Sequence, residues 1–229
     1  MSSRVLQVVL VTCLAVALYA FAVWWRRPVF VHIGKTCGSY LERSLPPYHH
    51  VHLRPVSAYE RIDLVSIRDP VDRFNSAFHY RKGGFNPDIP LKALELELFD
   101  CFDDVDALAA ALTDTSRCGE LARISLRPSD KMTHITKNHA YYMATWLTRN
   151  PSLPFKVVQA ENCAEDTQRV VKALGGRSKP SSEKPLSATM TSDRVNSRKP
   201  AITAETRSRL RAHMVEEYRV YREILRRGS

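Results

Sequence analysis

The chain has 229 residues, 44% of them hydrophobic, and a formal net charge of +10. That length supports one sizeable core and little beyond it, and the positive field attracts anions: a nucleotide, an acidic glycan or an anionic membrane surface. There is no long Lys/Arg block and no basic-aromatic recognition motif, which sets nucleic acid aside as a partner; five cysteines are too few for a disulfide framework and hold no C-x-x-C pair for zinc or thioredoxin-like chemistry.

From Val5 to Trp25 no residue is charged, and Trp24 and Trp25 close the apolar run. Roughly 20 such residues cross a bilayer as a helix, with tryptophan favoured at the interface. The segment predicts a membrane signal-anchor with a short tail over residues 1–27, and one folded domain over 28–229. A cleaved signal peptide is the alternative, because Ala20-Phe21-Ala22 resembles a small-x-small cleavage site. Orientation stays open, with Arg4 on one side and Arg26 and Arg27 on the other.

Pro28 to Ile33 is a β-branched and aromatic run that predicts a buried strand. A polar loop, Gly34 to Ser39, follows it, and Tyr40 to Leu45 can open a helix. A second strand is expected over Ile62 to Ile67, ending in Arg68-Asp69-Pro70, where Asp69 can cap a helix with proline at its first position. Gly83 to about Lys131 is a looser insertion, and Cys101 and Cys118 within it are a candidate bridge if the compartment is oxidising. Phe155 to Gln159 predicts a third strand before a helix from about Ala164 to Leu174. Residues 175–200 form a basic Ser/Pro-rich loop, and one helix from about Ala204 to Arg226 closes the chain, with Leu210, Met214, Tyr218, Tyr221 and Leu225 at helical spacing. Strands alternating with helices predict an α/β fold around a parallel sheet.

Two constellations carry chemistry. Gly34-Lys35-Thr36-Cys37-Gly38-Ser39 lies between strand and helix, where glycines let backbone amides approach an anion and Lys35 adds a full charge. The G-x-x-x-x-G-K-[ST] order of a complete Walker A loop is absent, which weighs against a kinase or nucleotidase. In the second, Arg68 leaves a strand end and Ser76 lies about two turns along the next helix, so both can face one phosphate.

Together, His32-Ile33-Gly34-Lys35-Thr36-Cys37-Gly38-Ser39 and Arg68-Asp69-Pro70-Val71-Asp72-Arg73-Phe74-Asn75-Ser76 resemble the two phosphate motifs of Golgi carbohydrate sulfotransferases, especially the branch related to heparan-sulfate 2-O- and chondroitin-type enzymes. Asn138-His139-Ala140-Tyr141-Tyr142, Val157 to Asn162, Arg194-Val195-Asn196-Ser197 and Glu217 to Tyr221 resemble later segments of that family. Cys37 stands where the family often has glycine or alanine, and the two motifs are closely spaced.

The resemblance implies a P-loop-NTPase-like three-layer fold and in-line transfer of a sulfuryl group from 3′-phosphoadenosine 5′-phosphosulfate (PAPS) to a carbohydrate hydroxyl. It implies a single-pass type II protein of the Golgi membrane with its catalytic domain in the lumen. PAPS is the co-substrate and no metal is expected. Lys35 would steady the leaving oxygen, with Gly34, Thr36, Cys37, Gly38 and Ser39 around the 5′ end. Arg68 and Ser76 would hold the 3′-phosphate, and Asn196 and Ser197 would close over the nucleotide. Arg73 is left between that role and a structural one. A base must take the hydroxyl proton; His52 is the first candidate, with His50, Glu42 and His49 as alternatives, and His139 is a candidate acceptor contact. A kinase or nucleotidase, and a noncatalytic binder of anionic glycans, stand as rivals.

Overall fold

The computed structural model describes residues 10, 12–18, 27–83, 88–174 and 200–228. Most of the expected anchor lies outside them, as does the basic loop with Asn196 and Ser197. Residues 10 and 12–18 are helical and exposed, and among the described residues no helix is long and apolar enough to cross a membrane.

Four short strands pair in parallel in the order β2-β1-β3-β4: β1 (Val29–His32), β2 (His49–Val51), β3 (Leu64–Ile67) and β4 (Lys156–Gln159). Val51, Val31, Val65 and Val157 lie in one register row across the sheet. Side chains alternate between faces along a strand, so this row packs with Val29, Ile33 and Ile67 against helices α6 (His139–Arg149) and α9 (Val215–Arg227), through Tyr142, Met143, Trp146, Val220 and Ile224. Phe30, Leu64 and Val158 face the other way and meet Leu41 of α1 (Gly38–Ser44) and Val170 of α7 (Cys163–Ala173). Helices on both faces bury β1 and β3 completely, as a parallel sheet requires, and the fold is α/β as the strand and helix alternation predicts.

Helix α2 (Pro70–Lys82) begins as expected. Proline occupies its first turn, and the Asp69 carboxylate accepts hydrogen bonds from the backbone N–H groups of Val71 and Asp72 at 3.1 and 3.2 Å. The insertion is helical, with α3 (Ala93–Cys101), α4 (Val105–Ala110), a 3₁₀ turn and α5 (Arg117–Ser125). These helices build a second core with Val71, Phe74 and Phe78 of α2. A Cys101–Cys118 disulfide joins α3 to α5, and buried Arg81 of α2 pairs with Glu95 of α3 at 2.8 Å.

The single closing helix expected from about Ala204 to Arg226 is two. Helix α8 (Ala204–His213) ends at Met214, whose backbone leaves the helical region, and α9 starts one residue later. The two halves serve different cores: Leu210 and Met214 pack into the helical insertion, whereas Val220 and Ile224 pack on the sheet. A straight rod cannot fill both, and Met214 is where the direction changes.

Candidate active site

The chain leaves β1 for β2 on one side, then returns to place β3 on the other. The carboxyl ends of β1 and β3 therefore flank the point where strand order reverses, the usual ligand crevice of open α/β sheets. Loop Gly34 to Cys37 leaves β1 there and Arg68 leaves β3. A buried hydroxyl pair stitches the two loops: Thr36 Oγ1 donates to the Ile33 carbonyl at 2.5 Å and shares a 2.7 Å bond with Ser66 Oγ. The Thr36 hydroxyl is thus committed within the protein, and only its backbone is left for a ligand. Ser76 is buried on α2, and Ser39 is exposed at the start of α1.

The loop is tightly wound, with Lys35 and Cys37 both at positive φ (72° and 57°). Lys35 Nζ lies 3.7 Å from the centre of the Tyr80 ring on α2, a cation–π contact that steadies the charge. The glycines of the loop also have a packing reason. A Cβ on Gly34 would strike the imidazole of His134, and one on Gly38 would strike that of His32. The loop lacks side chains at these points because histidine rings close upon it.

Cys37 is disulfide-bonded to Cys163 at the start of α7, so four of the five cysteines are paired, against the expectation of too few for a framework. A separation of 126 residues gave the pair no local signature.

Arg68 is not held by its acidic neighbours. Asp69 accepts from Tyr218 Oη at 2.9 Å and lies 3.4 Å from Arg207, while Asp72 pairs with Arg207 at 2.7 Å; among the described residues neither carboxylate pairs with the Arg68 guanidinium. The Arg68 backbone N–H instead donates to His139 Nε2 at 3.4 Å. His139 Nδ1 donates to Glu217 Oε1 at 2.8 Å, and Arg73 Nε donates to the same oxygen at 3.0 Å. This buried triad resolves two open roles. Arg73 is wholly buried and spends its other nitrogens on the carbonyls of His134 and Ile135, so it is structural. His139 is equally inaccessible, which overturns its expected contact with an acceptor. Burial lowers the His139 pKa from its usual value against the pull of Glu217, and Arg73 and His139 hold the Glu217 carboxyl below its usual range although burial alone would raise it.

At the other side of the loop four histidines gather. His32 ends β1, His50 lies on β2, and His52 follows it. The His50 and His52 rings are 5.5 Å apart and nearly parallel, His32 stacks on His52 at 4.3 Å, and His134 lies 5.4 Å beyond. Glu42 on α1 accepts from His32 Nδ1 at 2.8 Å and from His50 Nε2 at 3.1 Å. Those two hydrogen bonds hold its carboxyl well below the usual carboxylate range. His52 Nδ1 donates to the His32 carbonyl at 2.7 Å, since a carbonyl oxygen only accepts. That fixes its tautomer and leaves Nε2 with a lone pair. Burial, then the neighbouring His32, lowers the His52 pKa to about 4; burial and positive neighbours put His134 well below its usual value. His49 begins β2 on the opposite pleat from His50 and His52.

The structure brings Glu42, His50 and His52 together beside the loop that carries Lys35, and Arg68 directly follows β3, the strand adjacent to β1. Sequence reasoning missed His134 and the Glu217 to His139 link. No protein-family model, curated protein or solved structure matches the chain.

Proposed function

We propose that this protein is a PAPS-dependent carbohydrate sulfotransferase of P-loop-NTPase-like fold. The observation that carries the reading is the placement of Lys35 and Arg68 on loops from adjacent parallel strands, joined by the Thr36–Ser66 bond, where two ends of one doubly phosphorylated adenosine can be gripped. Lys35 stabilises the charge that develops on the leaving bridging oxygen, and Arg68 offers its planar fork to the 3′-phosphate; Ser76, buried on α2, is assigned to the same phosphate by the resemblance of its motif. His52 Nε2 takes the acceptor proton, and the carbonyl-bound Nδ1–H keeps that lone pair available. Sulfur–oxygen bond formation to the acceptor and cleavage of the sulfur–oxygen bond to adenosine 3′,5′-bisphosphate then proceed in line. Two disulfides suit an oxidising compartment, which supports a lumenal catalytic domain on a Golgi membrane anchor.

The test is incubation of the full chain in detergent with sulfur-labelled PAPS and a panel of glycans. Transfer to a glycan, lost in Lys35→Ala and Arg68→Ala, is the expected result. Magnesium-dependent ATP turnover without sulfate transfer would assign a kinase or nucleotidase instead; glycan binding that survives Lys35→Ala, again without transfer, would assign a noncatalytic binder.

A further inference from the structure

We propose that His32, Glu42 and His50 form a binding site for a divalent transition cation, zinc(II) in the first instance. The three donor atoms, His32 Nδ1, Glu42 Oε1 and His50 Nε2, make a triangle with edges of 2.8, 3.1 and 3.3 Å. Zinc bound to imidazole and carboxylate at about 2.0–2.2 Å in tetrahedral geometry separates its ligand atoms by about 3.3 Å. The triangle therefore matches one face of a zinc tetrahedron, and the fourth corner is left for another ligand. A ring nitrogen of His52 also lies within 4.8 Å of the His32 and His50 nitrogens, but the site uses His32, Glu42 and His50 alone, so the His52 Nε2 lone pair keeps the role proposed above.

Hydrogen bonding alone accounts for this geometry less well. For Glu42 Oε1 to accept from both rings, two N–H groups must point at one oxygen while their nitrogens stand 3.3 Å apart. A cation in place of the two protons uses both nitrogen lone pairs and the carboxylate at once. The ligands also come from three elements of a packed scaffold, β1, β2 and α1, so the site is held before metal arrives: His32 is buried against Gly38 and stacked on His52. Two imidazoles and one carboxylate suit zinc and neighbouring first-row ions, whereas calcium and magnesium favour all-oxygen sets.

Direct metal measurement tests the site independently of any transferase activity. The full chain in detergent is stripped with chelator, dialysed, and titrated with cobalt(II) and then zinc(II). One equivalent of retained metal, an intense visible cobalt spectrum of low-coordinate type, and its displacement by zinc are expected. His32→Ala risks unfolding a buried position, so the more exposed His50→Ala and Glu42→Gln carry the decision, and each should abolish stoichiometric retention while keeping the wild-type far-ultraviolet circular dichroism. Failure of the wild-type chain to retain zinc overturns the proposal, as does retention at the wild-type level by both variants. A chain that binds zinc through these residues yet transfers no sulfate would sink the sulfotransferase reading and leave the metal site standing.

Discussion

Cys37 and Cys163 join the left-handed corner of the Lys35 loop to the first residue of α7. The loop is thereby tied to the helix that follows β4, at the far side of the sheet. Cross-linking positions 126 residues apart removes much freedom from the unfolded chain, and a native disulfide of this kind contributes about 2–5 kcal/mol. Cys163→Ser should lower the thermal midpoint by several degrees and also weaken binding of adenosine 3′,5′-bisphosphate, read by calorimetry. A Cys101→Ser variant, whose bridge lies within the helical insertion, should lose stability but keep that affinity.

Glu217 and Arg73 test the buried triad. Both are almost wholly inaccessible, and Glu217 Oε1 takes bonds from Arg73 and His139 together. Removing one partner of a buried pair leaves an uncompensated charge, which costs about 3–5 kcal/mol. Glu217→Ala should show that loss in denaturant unfolding. Because His139 also receives the Arg68 N–H, the milder Glu217→Gln should reduce nucleotide affinity more than a surface change such as Glu223→Gln does.

What the sequence discloses follows from how local each cause is. β1 and β3 are mostly apolar, β4 holds Val157 and Val158 between Lys156 and Gln159, and Asp69-Pro70 carries its own cap, so all four are legible in the local sequence. β2 is three residues with two histidines, too short and polar to show a period. It is the strand that positions His50 and His52; a short strand there puts the two on one face, but the approach of His32 and His134 emerges only with the fold. Glu217 looks like any polar residue on an exposed helix face; its burial is decided by Arg73, 144 positions earlier. His134 adopts a positive φ of 60°, which nothing in its neighbours announces. The break at Met214 has no proline or glycine to mark it, and arises because the two halves of the closing segment meet different cores.

Gly38 and His32 give a prediction about packing. The position of a Cβ on Gly38 is already filled by the His32 ring, and the backbone there is not left-handed, so steric exclusion is the whole cost of Gly38→Ala. Overpacking of this kind costs about 1–3 kcal/mol. The variant should unfold at lower denaturant, and because the displaced ring is a member of the histidine cluster, it should lose transferase turnover beyond what the stability change explains. His32→Ala introduced alongside it should recover part of the stability, because the clash is then gone.

His139 predicts how stability depends on pH. Its Nδ1–H is given to Glu217 and its Nε2 lone pair accepts the Arg68 N–H, so the folded state holds the neutral ring and protonation at Nε2 would break the bond to Arg68. Its folded pKa is lowered by burial from the ordinary value of 6.5. The unfolded chain therefore binds the proton more readily, and stability rises with pH across that interval. The contribution of His139 is fully present above pH 6.5 and is lost as pH falls from there toward the folded pKa. Glu217, also depressed, adds a second loss only below the ordinary carboxylate range, as pH falls through its folded value. Denaturant midpoints measured from pH 8 to pH 5 should decline for the wild type, with a shallower decline in His139→Gln, whose side chain does not titrate. Equal slopes in the two proteins would show that His139 is not the group responsible.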